Sequence, residues 1–264
     1  MNRILVIIIL LTFSFPAFSQ FGVFGGVRTG WATSKTFNRF KQTFNSYLTD
    51  VTEKPLGSFG PSIGYGFGTD YEVGGLLVGF RANTIASTAR IKYTDNAKRH
   101  FDFDQFLTVT YFGIGNNSES SFYGLTFGLA AGNDKITSYF EYSDGTTSYG
   151  SEKYLNGIYD AIHMSGAITA QGGVAITDNV LVYGLAELIF GNIPDAFGCL
   201  YDDHHHRSLD PFTEYPTGLP LDYEEYMELM GSFDYGVEDY VKADFSGLRF
   251  EIGLRIQFGN EIGE

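Results

Sequence analysis

The residues best suited to chemistry in this 264-residue chain lie in two places. Asp202-Asp203-His204-His205-His206 is the densest group of potential metal ligands. Imidazole suits zinc, copper or nickel, and carboxylates can complete a shell. Adjacent histidines in a loop rarely converge on one centre without a scaffold, so a solvated polar loop tip is the competing reading. The second place is His163 with Ser165, two residues apart and so on one face of a strand. Histidine beside serine is half of an acyl-transfer relay. No carboxylate is linked to the pair in sequence, and a pair facing the inside of a closed sheet could not reach a lipid. Zinc cysteine pairs, a phosphate-cradling glycine loop and a nucleophile elbow are all missing from the sequence. Neither an enzyme nor a cofactor is expected.

The elements that must position these residues are strands. Residues 246–258 alternate apolar Leu248, Phe250, Ile252, Leu254, Ile256 and Phe258 with Arg249, Glu251, Gly253, Arg255 and Gln257. Side chains on a strand alternate between faces, so this strand has one greasy face and one charged face. Similar alternation predicts eight strands, at residues 21–31, 59–68, 76–86, 101–112, 122–131, 161–176, 180–190 and 246–258. In the second strand Phe59, Pro61, Ile63, Tyr65 and Phe67 oppose a face made almost wholly of glycine. Glycine weakens a strand unless another surface approaches closely. A crowded interior therefore explains that face better than a water-exposed wall, and the apolar face belongs outside. In the fourth strand, Phe101, Phe103, Leu107, Val109 and Tyr111 are assigned outward on the same logic, and Asp102, Asp104, Thr108 and Thr110 inward.

Residues 1–19 read as a secretory signal peptide, with Arg3 before an apolar run and Ala17-Phe18-Ser19 as cleavage site. That run is shorter than the roughly 20 residues of a spanning helix. Any crossing of a membrane must then be made by strands. Charged residues are 18% of the chain, aromatics 17%, and the net charge is −14, which argues against nucleic acid as a partner. A lone cysteine, Cys199, cannot form an internal disulfide.

The inward charges are Arg28, Arg81, Asp102, Asp104, Glu187, Arg249, Glu251 and Arg255. An eight-stranded barrel is just wide enough for side chains to fill it. Unpaired buried charge is costly, so these groups are expected to pair and plug the lumen; a narrow polar conduit is the alternative.

Short turns at one rim, longer loops at the other and a closing strand ending on Phe258 resemble the small eight-stranded outer-membrane β-barrel proteins of the OmpA/OmpX type. The resemblance covers residues 20–264 as one domain. It implies an all-β, eight-stranded antiparallel transmembrane up-and-down barrel with long outer loops in the cell outer membrane. Phe250, Leu254, Ile256 and Phe258 would form the signal read by the barrel-assembly machinery, with outer-membrane lipid as the other partner. The implied role is a scaffold presenting loops for surface interaction or envelope structure. A narrow transport barrel for small or apolar solutes is the alternative, and an outer-membrane lipid hydrolase the weakest.

The loop at residues 192–245 departs from the short loops of the smallest members. It carries thirteen Asp and Glu against Arg207 and Lys242, yet is rich in Tyr, Phe and Met. The first outer loop offers a complement: Phe37, Phe40, Phe44, Tyr47 and Leu48 at helical spacing, with Lys35, Arg39 and Lys41 around them. Packing of these two loops into a cap would leave an acidic, aromatic surface for a cation or an extracellular protein; a mobile loop is the alternative.

Overall fold

The computed structural model describes residues 19–118, 120–149, 155–192, 201–202, 241–242 and 244–259. Eight antiparallel strands close a ring: β1 Ser19–Gly30, β2 Ser62–Val73, β3 Leu76–Tyr93, β4 Lys98–Asn117, β5 Ser121–Glu141, β6 Gly157–Thr177, β7 Val180–Asn192 and β8 Gly247–Gly259. Each pairs with its neighbour in sequence, and β1 pairs with β8 in unbroken register from Gln20↔Gly259 to Gly30↔Arg249. The links β2–β3, β4–β5 and β6–β7 are short turns. The first turns on Gly74 and Gly75, both in the left-handed region at φ 56° and 85°. The remaining links leave the opposite rim, and the first holds helix α1, Lys35–Tyr47.

The wall is built from the alternation. Phe21, Val23, Val27, Tyr65, Phe67, Val78, Phe80, Phe112, Leu125, Leu129, Ile252 and Leu254 are all exposed on the outside. Large apolar side chains turned outward around a closed ring are the reverse of a water-soluble barrel, and they form the lipid-facing belt of a membrane-spanning one. Phe21 and Trp31 lie on this face at opposite ends of β1. Ten residues of strand reach about 33 Å, which at the usual tilt is about 25 Å of height, the belt of an outer-membrane barrel. The glycine face of β2 is crowded by interior side chains. The Glu251 carboxylate occupies the space where a Gly66 side chain would stand, and the Phe24 ring lies 2.7 Å from the Cβ position of Gly68.

β3 to β6 run for 18 to 21 residues, about twice what a membrane crossing needs. Residues 132–141 and 157–160, which lie outside the strands expected at 122–131 and 161–176, therefore continue as strand, β5 reaching Glu141 and β6 starting at Gly157. These upper halves stand above the belt as a curved sheet, and the polarity of their faces changes there. On β4, Phe106, Phe112 and Ile114 face out, whereas Phe101, Phe103, Leu107, Val109 and Tyr111 face in and are buried. The inward and outward assignments for this strand are thus reversed. Leu107, Val109 and Tyr111 join the core inside the barrel with Phe24, Leu77 and Phe122, whereas Phe101 and Phe103 lie above the belt, where the outside meets water, and turn inward to a second core.

That second core closes the mouth. Ser34 caps α1 by accepting from the Phe37 amide at 2.8 Å. Phe37, Phe40 and Phe44, at helical spacing, are buried against Ile85, Ile91, Phe101, Phe103, Ile136 and Tyr159 of the upper sheet. Phe59, expected on the outer face of β2, precedes the strand and folds into this core, stacked on Phe37 at 4.5 Å.

A charge on the belt should prevent this closure from being stable. Leu254→Arg is expected to cost about 2–4 kcal/mol if it sits near the bilayer midplane, and Leu254→Gln less. Urea unfolding in lipid vesicles, read by heat-modifiable gel mobility, checks it; equal midpoints for the wild type and Leu254→Arg would contradict the outward assignment.

Candidate functional site

The interior of the barrel carries the densest chemistry among the described residues. Glu187 of β7 lies at its centre, fully buried. Its Oε2 is 2.9 Å from Arg28 Nη1, and its Oε1 accepts from Arg81, which also donates to Thr169 Oγ1 at 3.1 Å. Arg28 Nε donates to Glu251 Oε2 at 2.9 Å, and Tyr183 donates its hydroxyl proton to the other oxygen of Glu251. Arg81, Glu187, Arg28, Glu251 and Tyr183 therefore form one chain across four strands, β3, β7, β1 and β8. Nearer the short-turn rim, Arg255 holds Asp70 through both guanidinium nitrogens, with Nη2 to Oδ1 at 2.6 Å. Its guanidinium lies 4.1 Å from the Phe122 ring centroid. Asp70 lies beyond residue 68, where the second strand was expected to end, but β2 continues through it to Val73.

The third block lies towards the mouth. Arg249 donates to Gln105 Oε1, and Gln105 donates to Asp134 Oδ1. Asp134 Oδ2 is 2.8 Å from His163 Nδ1, and His163 Nε2 is 2.9 Å from Ser165 Oγ. Asp134 thus supplies the carboxylate that the sequence did not link to His163 and Ser165. It lies on β5, where Asn133↔Ile162 and Asp134↔Ala161 bring the two strands together, and only strand pairing reveals it. The order Asp–His–Ser has the hydrogen-bond form of a nucleophile relay. Asp134 and His163 are fully buried and Ser165 is 6% exposed. A relay also needs a place about 3 Å from the serine oxygen for a reacting carbonyl. The three residues are packed inside the wall, and their hydrogen bonds brace β5 against β6.

Among the described residues of the barrel below the mouth, four guanidiniums (Arg28, Arg81, Arg249 and Arg255) thus stand among four carboxylates (Asp70, Asp134, Glu187 and Glu251). Six of the eight charges expected in the lumen are there. Asp102 and Asp104 are not: Asp104 is exposed on the outer face, and Asp102 accepts from Thr88 Oγ1 at 2.8 Å beside it. They lie on the part of β4 that rises above the belt, where an outward carboxylate meets water. Phe250, Leu254, Ile256 and Phe258 face outward on β8. Of the Asp202-to-His206 group, residues 203–206 lie outside the described residues; Asp202 is in a short strand paired with Tyr159 of β6. Most of the acidic loop is likewise outside them.

Among the described residues the two outer loops meet at Asp244 and Phe245. Asp244 caps the start of α1: its carboxylate accepts from Ser34 Oγ, from the Thr36 amide at 3.1 Å and from Thr36 Oγ1 at 2.9 Å. Its neighbour Phe245 stacks on Phe103 at 4.3 Å. An anion at a helix N-terminus meets unpaired amides and the positive end of the helix dipole, which explains why this residue makes the join. Lys35 and Arg39 are exposed, and Lys41 donates to Ser58 Oγ at 2.8 Å. At the tip of the outer sheet, Glu141 accepts from Lys98 at 2.6 Å and lies 2.8 Å from His100 Nε2; the hydrogen bond from Lys98 holds its carboxyl below the usual range.

No family model matches the chain, and no curated protein matches it. Among solved structures it is similar to Ail, the attachment invasion locus protein of Yersinia pestis. The structure of Ail in complex with the heparin analogue sucrose octasulfate is 9% identical, covers 91% of this chain and 99% of its own, and has a TM-score of 0.38. A second structure of Ail is 11% identical over the same shares, with a TM-score of 0.36.

Removing the hub of the interior should be far worse than removing an outer charge. Glu187→Ala leaves Arg81 without its carboxylate and Arg28 with Glu251 alone, and is expected to cost about 3–5 kcal/mol. Asp104→Ala should stay within about 0.5 kcal/mol. Urea midpoints in detergent micelles compare the two. At the mouth, Asp244→Ala should cost about 0.5–2 kcal/mol of local stability. Hydrogen exchange should quicken at the amides of Thr36, Phe37 and Asn38, while those of β1 and β8 keep their protection.

Proposed function

We propose that this chain is an exported outer-membrane barrel whose interior is a structural plug and whose role is exercised at the long-loop rim. The observation that carries the reading is the pairing of every lumen guanidinium, Arg28, Arg81, Arg249 and Arg255, with an acceptor, beneath an aromatic core that fills the mouth. A side chain held by fixed partners in a narrow interior leaves no hydrated path for an ion. The membrane part is then a scaffold. What it holds up is the curved sheet of β3 to β6, the α1 cap, and the acidic segment anchored at Asp244.

In this reading residues 1–19 direct export and are removed. The alternating β8, with Phe250, Leu254, Ile256 and Phe258, is what the assembly machinery grips, and membrane lipid surrounds the belt. The acidic, aromatic loop at 192–245 offers a surface for an extracellular protein or a cation, and His204 to His206 with Asp202 and Asp203 are its candidate metal ligands. The role is surface interaction or envelope structure.

Planar bilayer recordings test the plug. The purified protein should give no steady conductance, and Glu187→Ala should give leak currents as the paired core loosens. Stable single-channel steps from the wild type would replace this reading by the transport one. Protease added to intact cells should cut between residues 203 and 240 and leave the barrel strands whole; protection of that segment in cells but not in lysates would place the long-loop rim on the inner side.

A further inference from the structure

A groove of ≈ 320 Å³ crosses the outside of the wall from β2 to β5. Two cross-strand rows build it. The lower row is Tyr65, Thr84, Phe106 and Asn133; the next row up is Ile63, Ala86, Asp104 and Lys135. Thr84 and Ala86 are the small members, so β3 forms the floor between a bank of Ile63 and Tyr65 and a bank of Phe106. Towards β5 the groove is polar, lined by Asp104 and Lys135 of the upper row and Asn133 of the lower. It thus straddles the level at which the apolar belt gives way to water-facing residues.

Lys135 and Asp104 face each other directly across β5 and β4, yet among the described residues neither has a hydrogen bond or an ion pair. Opposed charges on a cross-strand pair have Cβ atoms about 4.5–5.5 Å apart and ordinarily attract. Here a half-buried ammonium and a carboxylate both open onto the same groove, with the Asn133 amide beside them. The groove holds about ten times the roughly 30 Å³ of a liquid water, enough for the upper part of one acyl chain and not for a whole lipid.

We propose that this groove is a binding site for a phosphorylated glycolipid of the outer leaflet. A lipid phosphate meets the Lys135 ammonium. Sugar hydroxyls donate to the Asp104 carboxylate and exchange hydrogen bonds with Asn133. One acyl chain descends over Ala86 and Thr84 between Tyr65 and Phe106. Lys135 supplies the charge complementarity, and the presence of Asp104 and Asn133 favours a headgroup with hydroxyl donors over a bare phosphate. The proposal rests on the outer-membrane reading above and adds to it the class of lipid and the place where it is held.

The test uses the full-length mature protein refolded into vesicles containing purified lipid A, phosphatidylglycerol and phosphatidylethanolamine, then extracted gently for native mass spectrometry. Vesicle flotation and heat-modifiable mobility first establish insertion and folding for every variant. Wild type and Lys135→Arg should each retain one lipid A. Lys135→Glu, which reverses the charge, and Ala86→Phe, which fills the floor, should each lower that occupancy about tenfold, equivalent to about 1.4 kcal/mol. Equal occupancy in the wild type and both variants would overturn the site, as would retention of phosphatidylethanolamine as strong as that of lipid A, or full displacement by inorganic phosphate. Failure of the wild type to enter vesicles would overturn the outer-membrane reading itself; insertion with no retained lipid would overturn the groove alone.

Discussion

A chain in hydrocarbon finds no water to satisfy its backbone, so each N–H and C=O must pair within the protein. A sheet meets that demand only by closing, and the pairing of β1 with β8 over eleven residue pairs is the closure. Other features follow from it. Closing eight strands sets a narrow interior, which side chains must fill. Inward positions then have to be small where a neighbour is large, as Gly66 is beneath Glu251, and charges that face inward have to neutralise one another. The Glu187 hub, gripped by Arg28 from one side and Arg81 from the other, joins β1, β3 and β7 across the lumen, so the ring that encloses the charges is itself braced by them.

The second organising fact is that four of the strands outlast the membrane. Below the belt's upper edge an outward position faces lipid and an inward one faces a mixed, charge-paired interior. Above it the outward position faces water, and the inward one can join an ordinary apolar core. β4 passes through both regimes: Phe106 looks out, and Phe103, one side-chain pair higher, looks in against Phe245. α1 supplies the remaining apolar surface that this upper sheet needs, and Asp244 ties the returning chain to the helix start. The molecule is therefore a membrane barrel with a soluble-type core mounted on its rim.

The interior network also shows how one set of residue types supports different chemistry in different packing. Asp134, His163 and Ser165 are arranged as in a nucleophile relay, and among the described residues they are buried and continue into Gln105 and Arg249. These hydrogen bonds couple β4, β5, β6 and β8.

Much was legible in the sequence because strand alternation is a local property. The outward faces of β1, β5 and β8, the inward Arg28, Arg81, Glu187, Arg249, Glu251 and Arg255, the helix with Phe37, Phe40 and Phe44, and the crowding behind the glycines of β2 could all be read from period and residue type. What could not be read was anything that depends on height or on a partner in another strand. Alternation states which residues share a face and never where the membrane ends, so it places Asp102 and Asp104 inside and Phe101 and Phe103 outside. Nor does it state which strand lies opposite which. That Asp134 meets His163, that Asp70 meets Arg255 and that Asp244 meets the start of α1 were decided only when the ring closed, because each contact joins residues far apart in sequence whose distance is set by strand register and not by the chain between them.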